Sequence, residues 1–311
     1  MQVFVTGGSG WVGSALIPDL VAHGHQVTAL ARSERSAAAV HAAGATVVRG
    51  SLDDLDVLGD AAGTADTVVH LGFKHEIAFA GQYERAAQDD RAVVDAFAER
   101  LAGTGKALVV ASGVLGVVGV DPGVVATEED GLAEVEAAGP VSGGGDRSAT
   151  ARHVLSLAEQ GIRASIVRLP PATHGAGDNG FTAAAVGAAR AAGASAYVGD
   201  GTNRWPAVHR DDAAVLFRLA AESAPAGSVL HAIAEEGVEL RQVAEAIAAG
   251  LGVPAISVGE DEIGRYLGFL GGFWSVDGPA SAHLTHDLVG WKPTGPTWRE
   301  DLSGPAYYRN A

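Results

Sequence analysis

Short β-branched runs alternate along this chain with stretches whose apolar residues recur every third or fourth position. Residues 3–6 (VFVT) form the first run, and Val12, Leu16 and Leu20 mark the first helical stripe. Further runs follow at 26–31 (QVTALA), 46–49 (TVVR), 67–71 (TVVHL), 107–111 (ALVVA) and 164–169 (ASIVRL). Between them the spacing predicts helices over about 82–101, with Val93, Val94, Phe97 and Leu101 apolar, and over about 148–159. Such alternation predicts an α/β fold, a doubly wound parallel sheet with helices on both faces. Beyond residue 170 the pattern is mixed, with helices predicted near 181–192, 211–222, 240–251 and 261–267. Residues 1–170, joined by about 205–232, are therefore expected to form a dinucleotide-binding domain. Residues 171–311 are expected to form mainly a smaller α/β substrate region packed against it. Residues 113–145 carry many glycines and acids without a period, as a long loop over the active face would. Pro18 falls inside the first helix and is expected to bend it mildly.

The first strand and helix are joined by TGGSGWVG, residues 6–13. Its glycines read as Gly8-x-Gly10-x-x-Gly13 or as Gly7-x-x-Gly10-x-x-Gly13, and strand–turn–helix is the context that gives such spacing meaning. Gly7 or Gly8 can take the positive φ of a tight turn. Gly10 lets a pyrophosphate approach the backbone, and Gly13 lets the helix lie close to the sheet. The helix N-terminus then offers free N–H groups and a positive dipole end. Gly7, Ser9, Gly10, Trp11, Val12 and Gly13 are thus expected to hold a dinucleotide pyrophosphate.

The second strand lacks the terminal acid that would hold an NAD ribose; Arg32 and Ser33 stand there instead. A guanidinium at that point suits a 2′-phosphate, so the expected cofactor is NADP(H). Ser51 and Leu52 should flank the adenine. Leu71, Gly72 and Phe73 should run toward the nicotinamide, because ligands lie outside the carboxyl ends of parallel strands. The net charge of −16 argues against a nucleic-acid partner. With no cysteine there is no disulfide framework or thiolate site. No histidine pair has metal-ligand spacing, so no metal is expected. Neither a basic leader nor a membrane-spanning apolar run is legible, which predicts a cytoplasmic protein with no membrane partner.

TGGSGWVG, VVHLGF (68–73), VVASG (109–113), VRLPPATHG (167–175) and VHRDDAA (208–214) together resemble the short-chain dehydrogenase/reductase superfamily, on its extended or atypical, epimerase/dehydratase-like branch. The resemblance implies a Rossmann-type domain, a small-molecule substrate and, in many relatives, a homodimer pairing the helices near 82–101 and 148–159. It also implies nicotinamide contacts at Leu169, Pro170 and Pro171, and a serine on the fifth strand, here Ser112. Asp90 occupies the place of a helical asparagine. The family's Tyr-x-x-x-Lys pair is missing: none of Tyr83, Tyr197, Tyr266, Tyr307 and Tyr308 precedes a lysine by four. The residues left to replace it are His75, His174 and Asp90, beside Ser112 as orienting hydroxyl. Asn179, Phe181, Arg204 and Trp205 are candidates for a substrate wall, and Phe269, Phe273 and Trp274 for either a lid or core packing. The expected activity is NADPH-dependent reduction of a small ketone, aldehyde or imine. The alternatives are an NADP(H)-binding redox sensor without turnover, and nucleotide-sugar epimerase or dehydratase chemistry.

Overall fold

The computed structural model describes residues 1–117, 123–131 and 145–308. Most of the loop expected over 113–145, and the side chain of Asp146, lie outside the described residues. Seven strands form one sheet: β1 (Gln2–Thr6), β2 (Gln26–Ala31), β3 (Thr46–Arg49), β4 (Thr67–His70), β5 (Ala107–Gly113), β6 (Arg163–Leu169) and, after an excursion, β10 (Ser228–His231). Their order is β10-β6-β5-β4-β1-β2-β3, and every pair is parallel. Reversal of strand order between β1 and β4 creates the crevice in which doubly wound sheets bind ligands.

Strand alternation decides what each face buries. Val3, Val5, Ala29, Val69, Val109 and Val167 face α1 (Gly13–Ala22), α2 (Glu34–Ala42) and α8 (Arg210–Ser223). Phe4, Val68, Leu108, Val110 and Ile166 face α3 (Leu55–Thr64), α5 (Tyr83–Leu101) and α6 (Gly145–Ser156). Ser112 continues the even-numbered series of β5 and is paired in register with Arg168 of β6. Both therefore point to the α6 side at the carboxyl edge. α1 runs through Pro18 without interruption.

The remaining chain builds two small sheets. β7 (Ala172–His174) pairs parallel with β9 (Arg204–His209), which pairs antiparallel with β11 (Glu235–Glu239). β8 (Ser195–Val198) pairs with β12 (Ala255–Val258). α4 (His75–Phe79) caps the exit of β4, while α7 (Phe181–Ala192), α9 (Leu240–Leu251), α10 (Ile263–Leu267), α11 (Gly271–Trp274), α12 (His283–Val289) and α13 (Trp298–Ser303) belong to the later part. Trp205, Trp274 and Trp298 are fully buried and form the centre of a separate core there. The rest of VHRDDAA acts as a fastener. Both Asp212 carboxylate oxygens accept backbone N–H groups, from Thr294 and Gly295, and its carbonyl accepts the Trp291 indole. Among the described residues no helix is long and apolar enough to cross a membrane.

Candidate active site

The glycine turn is dictated by contact between backbones. Gly7 adopts φ 69°, and a Cβ there would lie 2.8 Å from Gly72 N, against the exit of β4. A Cβ on Gly13 would come within 2.3 Å of the Gly7 carbonyl oxygen and 2.7 Å of Gly8 Cα. Gly10 donates its N–H to that same carbonyl, and a Cβ there would sit 3.0 Å from it. As expected, Gly13 lets the start of α1 lie against the backbone that leaves β1, and a second close contact is made by Gly8. Its Cβ would meet Ile17 Cδ1 at 2.8 Å and Ala29 Cβ at 3.2 Å. Ser9 and Gly10 are exposed, and Val12 is the N-cap of α1. The Trp11 side chain turns away, its indole donating to the Thr173 carbonyl with the Arg210 guanidinium over the ring. A cradle that only glycines fit, ending on the start of a helix, matches a dinucleotide pyrophosphate.

At the adenosine end, Arg32 follows β2 directly and is 69% exposed; its Nη1 donates to Glu76 Oε1 at 2.7 Å. The hydrogen bond from Arg32 holds the Glu76 carboxyl below its usual pKa. The Ser33 hydroxyl accepts the Ser36 N–H in a capping box at the start of α2, so helix capping already occupies it. Ser51 donates both its N–H and its hydroxyl to Asp54. Leu52 packs over Gly72, where a Cβ would meet Leu52 Cδ2 at 3.0 Å.

The opposite end is built by side chains from β1, β4, β5 and β6, from α5 and α6, and from the loop after β4. Thr6 and His70, register partners on β1 and β4, are joined through Oγ1 and Nδ1 at 2.6 Å. His70 Nε2 lies 3.1 Å from Asp90 Oδ1, and Gly72 donates its N–H to Thr6 Oγ1. Thr6, His70 and Asp90 thus form one hydrogen-bonded chain, which the Gly72 N–H joins at Thr6. Asp90 is only 6% exposed and so is no helix-surface acid. Beyond Gly72, Phe73 carries the Arg147 guanidinium 4.2 Å above its ring, with His75 and Tyr83 at its edges. Arg147 also donates to the Ala111 carbonyl, next to Ser112. Desolvation, then the charge of Arg147, lowers the His75 pKa, so this imidazole is neutral near pH 7. Ser112 is 9% exposed, and among the described residues its hydroxyl has no hydrogen-bond partner. It opens onto a cleft shared with Arg168 and with Ser148 and Arg152 of α6.

The sequence model of the NAD dependent epimerase/dehydratase family matches residues 3–232. This chain belongs to that family. An uncharacterized protein of Schizosaccharomyces pombe is 42% identical over 308 residues, covering 99% of this chain and all of the relative. A 2-alkyl-3-oxoalkanoate reductase of Stenotrophomonas maltophilia is 28% identical, covering 82% of this chain and 77% of its own. In three dimensions the chain is similar to the Thermus thermophilus UDP-glucose 4-epimerase solved with NAD, at TM-score 0.70 and 20% identity over 97% of both chains.

Membership gives this epimerase/dehydratase-family chain a nicotinamide dinucleotide as cofactor and a Rossmann-like sheet to hold it. Leu169, Pro170 and Pro171 leave β6 beside this edge, and Pro170 is buried, its carbonyl accepting the Thr173 hydroxyl. His174 is not brought to Ser112. It is fully buried, with Nδ1 2.6 Å from Asp301, His209 against its ring and Glu235 its other acidic neighbour. The expected substrate wall is largely framework. Trp205 sits in the tryptophan core, and Arg204 is clamped by a bidentate pair with Asp277. Phe181 and Phe273 pack on that core and Trp274 lies within it; Phe269 is exposed and Asn179 lies at the surface. Sequence reasoning missed Arg147, Arg152 and Arg168 as site residues. A readable signal existed for Arg168, the one charge in the run ASIVRL.

Proposed function

We propose that this protein is an NADPH-dependent oxidoreductase that reduces a small ketone, aldehyde or imine. The observation that carries the reading is Ser112, a shielded hydroxyl with no protein partner among the described residues, opening on the gap it shares with Ser148, Arg152 and Arg168. Gly7, Gly10 and Gly13 would hold the pyrophosphate through backbone N–H groups. Arg32, exposed and with no acid ending β2, would take the 2′-phosphate. When bound, NADPH would supply the hydride, and with one proton taken from water a carbonyl acceptor would become an alcohol. Ser112 donates a hydrogen bond to the acceptor oxygen, and Arg147, fixed between Phe73 and the Ala111 carbonyl, supplies positive charge as the oxyanion develops. Asp90 acts one step back, holding His70 and so the Gly72 backbone. Being neutral, His75 serves as a hydrogen-bond partner, and water delivers the proton. The name of the Stenotrophomonas relative, a reductase of an oxoalkanoate, supports reduction over epimerisation. A cytoplasmic homodimer paired through α5 and α6 completes the proposal.

A second reading, NADP(H) binding without turnover, is favoured by the missing Tyr-x-x-x-Lys pair. Following cofactor absorbance while purified protein meets NADPH and a panel of ketones, aldehydes and imines separates the two. The reductase turns over at least one acceptor, and Ser112→Ala lowers kcat about 100-fold with NADPH affinity unchanged. Tight NADPH binding with no turnover on any acceptor would select the sensor. Turnover untouched by Ser112→Ala would remove Ser112 from its role.

A further inference from the structure

Arg168 is an anomaly in the sheet. It sits on β6 at 3% exposure, at the register position beside Ser112. A guanidinium has five N–H donors and cannot shed its charge. Here one donor, on Nη1, reaches His231 Nε2 at 3.1 Å, and no other side-chain hydrogen bond holds Arg168 among the described residues. His231 cannot share the charge. Its Nδ1–H is committed to the Ser281 carbonyl, and burial followed by the charge of Arg168 pushes its pKa down to about 4. Glu128 and Asp130 are near enough to favour the charged guanidinium, yet neither is in ion-pair contact with it. Thr285 engages one oxygen of Glu128 by both backbone N–H and hydroxyl, and the Asp130 carboxylate accepts from Thr127. Desolvation holds the Arg168 pKa at about 10, still charged at neutral pH. A buried charge without a bonded counterion is costly, which makes its position on the narrow gap between β5, β6 and α6 informative.

The cleft has the matching character. Arg152 and Arg168 line it with Ser112, Ser148, Leu155 and Ile166, and among the described residues no aspartate or glutamate lines it. This is notable in a chain with 37 acids against 21 basic residues. Ser148, Arg152 and Leu155 fall on one face of α6 at helical spacing, so one helix carries this entire wall. Parallel neighbours in register stand about 4.8 Å apart. Ser112 and Arg168 can thus reach two groups of one small molecule.

We infer that this cleft is a carboxylate subsite, so that the acceptor is an oxo acid with its carbonyl on Ser112 and its carboxylate on Arg168, with Arg152 as second cation. The planar fork of Arg168 suits a carboxylate, and charge-assisted hydrogen bonds are the strong ones. This rests on the reductase reading for the carbonyl, whereas the anion site stands on the arginines alone.

The test compares 3-oxobutanoate with its methyl ester as acceptors for NADPH, in wild type, Arg168→Met and Arg152→Gln. Calorimetric titration with butanoate, which cannot be reduced, runs in parallel. Wild type is expected to favour the acid over the ester by at least 10-fold in kcat/KM. Arg168→Met is expected to abolish that preference, and half-buried Arg152→Gln to reduce it several-fold, the loss in both falling on the acid far more than on the ester. Should Arg168→Met fail to fold, Arg152→Gln and the wild-type preference still decide. Equal use of acid and ester by wild type, or equal loss of both in Arg152→Gln, overturns the proposal. If neither acceptor is reduced, the oxo-acid acceptor falls, and the panel of ketones, aldehydes and imines decides the reductase reading separately. The subsite then stands if butanoate binds saturably and Arg152→Gln weakens it, and falls if butanoate does not bind.

Discussion

The two ends of the nucleotide crevice are made in different ways. The phosphate turn is a backbone object: Gly7, Gly8 and Gly13 are fixed by what a single Cβ would strike. The Ser112 edge is a side-chain object, assembled from Thr6, His70, Phe73, Asp90, Arg147 and Arg168 on four strands or loops and two helices. The turn tolerates almost no change in sequence and can be recognised from eight residues. The edge can keep its place in the fold while the side chains that form it change.

The largest expected effect tests the rigidity of the turn. Gly13→Ala drives a methyl into the Gly7 carbonyl and the Gly8 backbone, neither of which can swing aside. We expect a loss of about 3 kcal/mol or more by thermal or urea unfolding, with nicotinamide binding abolished. Gly8→Ala meets the movable end of Ile17 and should cost about 1–2 kcal/mol. Equal losses would mean that the turn is less rigid than its contacts imply.

The next prediction concerns the floor of the Ser112 edge. Folded His231 has a pKa of about 4, below its ordinary 6.5. The stability it contributes is fully present above pH 6.5 and is lost as pH falls from there to about 4, because the unfolded chain takes up the proton first. Urea unfolding should show about 3 kcal/mol lost through this window, and His231→Gln should flatten that part of the profile. An unchanged profile in the variant would show that His231 does not remain neutral beside Arg168.

Cofactor choice gives smaller effects at the turn's far end. Arg32→Ala should weaken NADPH by about 10- to 100-fold and NADH little, since a hydrogen bond to a charged group contributes about 1.5–3 kcal/mol. Glu76→Gln should act oppositely. Glu76 holds Arg32 at 2.7 Å with both groups more than half exposed, a pair worth about 0–1 kcal/mol. Freeing Arg32 should tighten NADPH by up to about 5-fold in a fluorescence titration. If Glu76→Gln weakens NADPH instead, the ion pair aids the site rather than competing with it.

Much of the frame was legible because local rules govern it. The runs QVTALA and TVVR are β2 and β3 to the residue, and α7 and α9 span 181–192 and 240–251 as their apolar spacing required. The family resemblance was equally readable, since its motifs lie at strand ends in order along the chain. The edge was not. Thr6, His70 and Asp90 meet across separations of 64 and 20 residues, and nothing local in the sequence says which side chains pair. His174 was misread for the same reason: its partner Asp301 lies 127 residues on, and burial against α13 outweighs its position after a strand. Trp205 and Arg204 were legible as important but not as framework, because an aromatic beside a charge reads alike in a wall and in a core. Asp277, which fixes Arg204, is far along the chain.

A phosphorylated dinucleotide held by the glycine turn and Arg32 is central to the function proposed for this chain. Its most direct test is a side-by-side fluorescence titration of the wild-type protein with NADPH and NADH. We predict saturable binding of both, with NADPH at least 10-fold tighter and that advantage erased by Arg32→Ala. Equal affinity for the two coenzymes, or binding of neither, would contradict it.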